Sequence, residues 1–554
     1  MAWVLGVAAS HNGAACLLRD GEIVVALQEE RVTREKRAFV DAGRPSAAIE
    51  ACLRYAGISA GDLGMAVGCS PDSPDAADLS RSAQLDLRAH GVPSRVVSHH
   101  LGHAAGAFAT AGFDDATVLV IDGMGSRLAD LDGRERAAAR LLPDWDPADL
   151  CEHASIYRAV DRELVVVEKH VAPLVRILRW FERNPDEGMP PFESLGGIFN
   201  SVATRVFGQF FEAGKVMGLA PCGRVNLPAE RFFEIVDETF RFHGDALDAF
   251  DGDALWPHNP ARWQNLAASA QAALERGIAH LVRRARTLTS SPNLCYAGGV
   301  ALNGIANEQI VARGGFERVF IMPAAEDSGT AIGAAYLGAW ELGDRHPPRA
   351  FAKDSLGPVY SAERVQSAIA REPRVRESDE DVLDLLCAGR IIGWFSAGSE
   401  LGPRALGQRS ILCDPRSPSV KRRLNAEIKR REAYRPFAPL LLREHAAEWF
   451  EGDALDTPFM LHIRSFREAQ RERVPAVVHV DGTGRPQTIS DETHPRLCAL
   501  LRRFYARTGV PMLLNTSFNV AGEPIVETPE DAIASLLSCG LDAVMLEQTL
   551  VVKR

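Results

Sequence analysis

The stretch that decides the fold comes first: Trp3-Val-Leu-Gly-Val-Ala-Ala, Ser10-His11-Asn12-Gly13, Ala14-Ala-Cys-Leu-Leu, Asp20-Gly21, then Glu22-Ile-Val-Val-Ala-Leu. An apolar run, a polar turn, a second run, an Asp-Gly pair and a third run predict three strands joined by tight turns. Asp-Gly tolerates the positive φ angles that a two-residue hairpin demands. The unit recurs. Ala116-Thr-Val-Leu-Val-Ile is a strand and Asp122-Gly123-Met124-Gly125-Ser126 its polar turn. After an Arg- and Asp-rich insertion, residues 154–160 and 164–168 predict a hairpin across Asp161-Arg162. Two copies of one three-stranded unit point to a duplicated α/β nucleotide-binding core, the layout of the actin-like ATPase superfold. There, paired turns grip phosphates or a metal, although a fold alone never fixes a function.

Farther out, residues 261–286 read as a long helix rich in Ala, Leu and Arg. Asn293-Leu-Cys-Tyr-Ala is a strand ending in Gly298-Gly299, and Val319-Phe-Ile-Met-Pro leads through Glu326-Asp327-Ser328-Gly329 into a helix from Thr330. Prolines and charges mark the segment after Gly343 as an exposed linker. The expected division is 1–345, a linker at 346–357, and a second α/β domain at 358–554.

The chain has 554 residues, 46% apolar and 24% charged, which suits a soluble protein of more than one domain. No run approaches the ~20 apolar residues of a membrane helix. The first residues carry no basic export signal, so a cytoplasmic location is expected. A net charge of −11 lends no support to nucleic-acid binding. The 10 cysteines are scattered without a Cys-x-x-Cys pair, against a zinc ribbon, a thioredoxin-type site or a disulfide framework.

Three constellations carry chemistry. In Ser98-His99-His100-Leu101-Gly102-His103, His99 and His103 are four apart and share a face if helical. Paired imidazoles suit iron, zinc or manganese, and Asp122 and Asp327 could complete a two-His, two-carboxylate set. The bland alternative is a buried histidine pair packed beneath a loop. The glycine turns Asp122-Gly123 and Gly298-Gly299 each follow a strand, where backbone N–H groups can approach phosphate or ribose. The C-terminal half is dense in basic loops: Ser399-Glu-Leu-Gly-Pro-Arg404-Ala-Leu-Gly-Gln-Arg409-Ser410, and Lys429-Arg430-Arg431-Glu432-Ala-Tyr-Arg435-Pro436-Phe437. Guanidinium forks match phosphate oxygens, and Asn515-Thr516-Ser517-Phe518-Asn519 after a strand suits an anion or nucleotide. A solvated, charged helix end and a polar turn are the alternatives.

Taken in order, Gln28-Glu-Glu-Arg31 with Lys36, His99-His-Leu-Gly-His103, Asp122-Gly123, Lys215-Val-Met-Gly-Leu-Ala-Pro221, Gly298-Gly-Val-Ala-Leu-Asn303, Gly402-Pro-Arg-Ala-Leu-Gly-Gln-Arg-Ser-Ile-Leu412, Arg435-Pro-Phe-Ala-Pro439 and Leu514-Asn-Thr-Ser-Phe-Asn519 resemble the O-carbamoyltransferases of antibiotic biosynthesis and nodulation. The resemblance implies a Kae-like N-terminal domain and a YrdC-like C-terminal domain. It implies that the latter makes carbamoyl-adenylate from carbamoyl phosphate and Mg²⁺-ATP, and that the former passes the carbamoyl group to a hydroxyl of a small-molecule acceptor. By the same resemblance, His99, His103, Asp122 and Asp327 hold Fe²⁺ or a similar ion, Lys36 contacts the adenylate and His11 is the base. Lys215, Gly123, Gly298, Gly299 and Asn303 fall on the nucleotide side of that site. Arg404, Arg409, Lys429, Arg435, Arg485, Asn515, Thr516 and Ser517 bind carbamoyl phosphate and ATP. Asn12 stands where the family often has Asp, and Cys222 where an aromatic is usual. Residues 127–152 and 171–211 match no motif and are expected to set acceptor specificity. Rival readings are an actin-fold sugar kinase, a hydrogenase-maturation carbamoyltransferase (whose zinc-ribbon cysteines are missing here) and a nucleotide-sensing module. The oligomeric state stays open, a homodimer being one option.

Overall fold

The computed structural model describes residues 2–40, 45–71, 87, 89–174, 192–351, 355–453 and 455–554. The chain divides into two compact units. One comprises Met1–Val24, Phe39–Ile49 and Gly57–Phe351; the other comprises Val25–Ala38, Glu50–Ala56 and Ala352–Arg554. The segment carrying Gln28, Arg31 and Lys36 therefore belongs to the second unit, where sequence reading had expected the first. The stretch after Gly343 is fastened to the first unit as far as 351, since the N–H groups of Arg349 and Phe351 donate to the carbonyls of Ala109 and Thr110.

The duplication is written in the strand order. The first sheet contains β1 (Trp3–Ala8), β2 (Ala14–Arg19), β3 (Glu22–Gln28), β4 (Leu63–Cys69) and β5 (Ser94–Val97), ordered β3-β2-β1-β4-β5. The second contains β6 (Asp115–Ile121), β7 (Ala139–Arg140), β8 (Cys151–Val160) and β9 (Glu163–Ala172). A separate hairpin, β10 (Phe233–Val236) and β11 (Thr239–Phe242), precedes its last strands, β12 (Asn293–Ala297) and β13 (Arg318–Ile321). The second order, β13-β12-β6-β8-β9-β7, is the first repeated with one short edge strand added. In both sheets the leading strand pairs antiparallel with its hairpin partner and parallel with the next strand across. This is the actin-like ATPase topology. Asp20 and Gly21 turn the first hairpin with φ of +53° and +72°, the left-handed pair expected of Asp-Gly.

Two helices bring the sheets' polar turns together. The helix His99–Ala111 crosses the helix Thr330–Glu341 through glycines: a Cβ on Gly333 would stand 1.9 Å from the Gly102 carbonyl oxygen and 2.7 Å from the Gly106 nitrogen. Backbone meets backbone there, so Asp327, just before the second helix, reaches the histidines at the start of the first. Gly333→Ala must push the helices apart. Overpacking of this kind costs ~1–3 kcal/mol, and the variant should melt earlier than the parent and bind divalent metal more weakly, by calorimetry and metal titration.

The second unit is also α/β. Its main sheet is built from β14 (Val375–Glu377), β15 (Ile392–Phe395), β16 (Arg409–Cys413), β17 (Ala438–Leu442), β20 (Gln487–Ile489), β21 (Met512–Ser517), β22 (Ala543–Leu546) and β23 (Thr549–Lys553). The order is β14-β23-β22-β15-β16-β21-β17-β20, and β18 (Arg464–Ser465) and β19 (Thr483–Gly484) form a small ribbon beside it. Register explains why distant motifs meet. Ser410 at the start of β16 lies opposite Ser517 at the end of β21, and Ala438 at the start of β17 opposite Asn515. Leu440 pairs in parallel with Gln487, which follows Arg485 by two residues. The loops around Arg404, Lys429–Arg435, Arg485 and Asn515–Ser517 thus converge on one edge of the sheet.

Candidate active sites

In the first unit, His99 and His103 lie on one buried helical face as their spacing predicts. His99 Nε2 is 3.1 Å from Asp122 Oδ2 and 3.4 Å from Asp327 Oδ1; His103 Nε2 is 3.2 Å from His99 Nε2 and 3.5 Å from Asp122 Oδ2. One ligand atom from each of the four lies within 4.8 Å of all the others, and all four residues are buried. Burial opposes charge on His99, yet Asp327 and Asp122 hold its pKa well above the ordinary histidine value. Two buried carboxylates facing two imidazoles call for positive charge, and a divalent cation meets that need in place of protons. The donor set, nitrogen and carboxylate oxygen in equal number, fits iron, manganese or zinc.

Asp122 is held from behind. The other oxygen of Asp122, Oδ1, accepts the N–H groups of Gly123 at 2.7 Å and Gly299 at 3.1 Å. Gly298, at φ +91°, brings that second N–H in; a Cβ there would stand 2.2 Å from the Ile121 carbonyl oxygen. The glycine pair expected to approach a nucleotide therefore holds the Asp122 carboxylate. Asn303 is spent internally, capping the helix Gly304–Arg313 through Ala306 N–H and exchanging amide hydrogen bonds with Gln271. Lys215 Nζ lies over the Phe207 ring and 3.8 Å from Glu212. His11 Nδ1 is 3.3 Å from Asp327 Oδ2, and its ring stacks on Phe211 at 4.8 Å. Of the stretch 171–211 expected to choose the acceptor, 175–191 lie outside the described residues. Ser194 donates to the Gly123 carbonyl at 2.6 Å, so this stretch touches the Asp122 turn.

Sequence reading missed what lies beneath. Glu152 Oε1 accepts the N–H of His100 at 3.0 Å and of Ser126 at 3.1 Å, so one carboxylate holds both the histidine helix and the turn after Asp122. Lys169, fully buried, bonds Glu152 and lies 3.0 Å from both Glu135 Oε1 and the Tyr157 hydroxyl. The signal was faint: Lys169 on the buried half of strand β9, and Glu152 near the start of β8.

In the second unit, Arg404, Arg431, Arg435 and Arg485 gather with Lys429. Burial, then Arg435, pushes the Arg404 guanidinium down to about 10. Burial, then Arg435, does the same to Arg431, to about 9, and burial with Arg404, Arg431 and Arg435 sets Arg485 well below the ordinary arginine value. The Nε atoms of Arg404 and Arg485 are buried without a hydrogen-bond partner. A concentration of part-buried, mutually repelling cations suits an anion. Lys429 Nζ donates to the Ser517 carbonyl at 2.6 Å and to Asn519 Oδ1 at 2.9 Å, which ties the end of β21 to the cluster. Asn515 donates to the carbonyl of Ala405 at 3.2 Å and to Gln487 at 2.9 Å. Thr516 sits between them on the strand, opposite Ile411. Arg409 is placed elsewhere. Its guanidinium lies 3.6 Å over the Phe395 ring and donates to the carbonyls of Ser396, Ala397 and Gln408, so it braces the loop and is not in the cluster. Arg431, which spacing alone did not single out, is in it.

The chain thus combines a duplicated actin-like core that groups two histidines with two aspartates and an α/β unit that gathers four part-buried arginines. The chain belongs to the carbamoyltransferase family and is a transferase. Residues 79–336 match the family model "Carbamoyltransferase N-terminus" and 383–553 match "Carbamoyltransferase C-terminus". It is 34% identical to nodulation protein NolNO of Sinorhizobium fredii across 98% of this chain and 79% of that one. It is 36% identical to nodulation protein NolO of Bradyrhizobium diazoefficiens across 83% of this chain and 79% of that one. It is also 36% identical to the 3'-hydroxymethylcephem-O-carbamoyltransferase of Amycolatopsis lactamdurans, over 46% of this chain and 48% of that one. Among the described residues no helix is long and apolar enough to cross a membrane.

Proposed function

We propose that the chain is an ATP-dependent O-carbamoyltransferase that makes carbamoyl-adenylate in its second unit and transfers the carbamoyl group in its first to a hydroxyl of a small molecule. The observation that carries this is the part-buried cluster of Arg404, Arg431, Arg435 and Arg485 around the buried Lys429. Carbamoyl phosphate and ATP bring several negative charges that must approach one another, and only such a cluster offsets their repulsion. Atom balance sets the steps. Water releases phosphate from carbamoyl phosphate, and the carbamate oxygen attacks the α-phosphorus of ATP and expels pyrophosphate. The acceptor oxygen then attacks the carbamoyl carbon, and AMP leaves.

In the first unit, an Nδ1–H facing Asp327 leaves His11 Nε2 as the atom that takes the hydroxyl proton. His99, His103, Asp122 and Asp327 would hold Fe²⁺ or a similar ion, which supplies Lewis-acid polarisation of an oxygen. The relative named an O-carbamoyltransferase of a hydroxymethyl-cephem supports a small alcohol as acceptor. The test is incubation with Mg²⁺-ATP and carbamoyl phosphate without acceptor. Carbamoyl-adenylate by mass spectrometry, with matching pyrophosphate, is the expected result. ADP in its place would give the kinase reading the field, and no turnover by metal-loaded protein would favour a sensor.

A further inference from the structure

Arg404 has little support of its own in the cluster. Its Nε is buried without a hydrogen-bond partner, and Arg435 and Arg485 beside it repel it. A guanidinium without a side-chain anchor keeps its aim only if the backbone beneath it is fixed. The loop from Glu400 to Arg409 is fixed at its far end by Glu400, whose Oε1 accepts the N–H groups of Leu406, Gln408 and Arg409 at 2.7, 2.7 and 3.1 Å. At its near end the work is done by residues from the start of the chain. The Gly402 N–H donates to Gln28 Oε1 at 3.2 Å, and Arg31 Nη2 donates to the Gly402 carbonyl at 2.9 Å. Both polar groups of Gly402 are thereby taken, at a residue whose φ of +101° only glycine adopts without strain. Gln28 and Arg31 are 3% and 1% exposed. Arg31 buries Nε and Nη1 with no hydrogen-bond partner, Nε lying 3.7 Å from Glu30 Oε1, and its hydrogen bond goes to this turn.

We propose that Gln28 and Arg31 are positioning residues for Arg404: by clamping both sides of Gly402 they fix the turn from which Arg404 enters the anion site. The proposal rests on the reading of that cluster as the carbamoyl phosphate and ATP site, and it makes the Gln28–Arg31 segment part of the adenylate-forming unit.

The experiment uses the full-length protein and inorganic phosphate as the probe, so that binding is read without turnover. Arg31→Met and Gln28→Leu are each expected to weaken phosphate binding about tenfold by calorimetry. In the Arg404→Ala background, where there is nothing left to aim, either change should cost less than twofold, because coupled positions fail to add. Arg31→Met effects that multiply with Arg404→Ala, or single variants that bind phosphate like the parent, would overturn the proposal. Should Arg31→Met fail to fold, Gln28→Leu decides by the same cycle. Weakened phosphate binding by the clamp variants of a parent that forms no adenylate would uphold the clamp and sink the reaction; adenylate made by the parent and undiminished in Arg31→Met would do the reverse.

Discussion

Arg404→Ala is expected to stop carbamoyl-adenylate formation, and His99→Ala to leave it intact while transfer ceases. The two lesions lie in separate units, so each half-reaction reads out one site. Arg404 lies among like charges with its Nε buried, and among the described residues no carboxylate is paired with it. Losing a preorganised donor to the developing charge of pyrophosphate costs ~10²–10³-fold in rate. His99 touches both Asp122 and Asp327, at 3.1 and 3.4 Å, so its removal leaves three of the four ligand groups. His99→Ala should then lose bound iron by elemental analysis and accumulate adenylate and pyrophosphate without carbamoylated product. Transfer at the parental rate in His99→Ala would remove the metal site from the reaction.

How much of this was legible in the sequence depends on whether a signal was local. The Asp20-Gly21 hairpin, the strand-turn repeat and the one-face spacing of His99 and His103 are local, and the structure has all three. That Asp327 meets those histidines follows from the glycine crossing at Gly102 and Gly333, and Asp122 joins them through the turn that Glu152 holds to the histidine helix, both of which sequence separation hides. Arg409 and Asn303 show the opposite difficulty. Both stand in motifs of the right residue type, yet backbone carbonyls claim the one and a helix cap with Gln271 claims the other. An arginine that binds phosphate and one that satisfies carbonyls look alike until their neighbours are known. Arg31 and Gly402 are separated by 371 residues, and no composition or periodicity announces such a bond.

Lys169→Met should be the most destabilising single change in the first unit. The ammonium is fully buried, and although burial alone would lower its pKa, Glu152, Tyr157 and Glu135 raise it above the ordinary lysine value. Methionine matches the stem and deletes the charge, which leaves the Glu152 carboxylate buried without its cation. Removing one partner of a buried pair costs ~3–5 kcal/mol. Adding Glu152→Gln should return part of that loss, because the amide needs no counter-charge. It should not return metal affinity to the same extent. A glutamine oxygen accepts the N–H groups of His100 and Ser126 less strongly than a carboxylate does, and those two bonds join the histidine helix to the Asp122 turn. Thermal unfolding and metal titration of the single and double variants separate the two effects. A double variant as unstable as Lys169→Met alone would mean that the lysine acts through packing and not through charge.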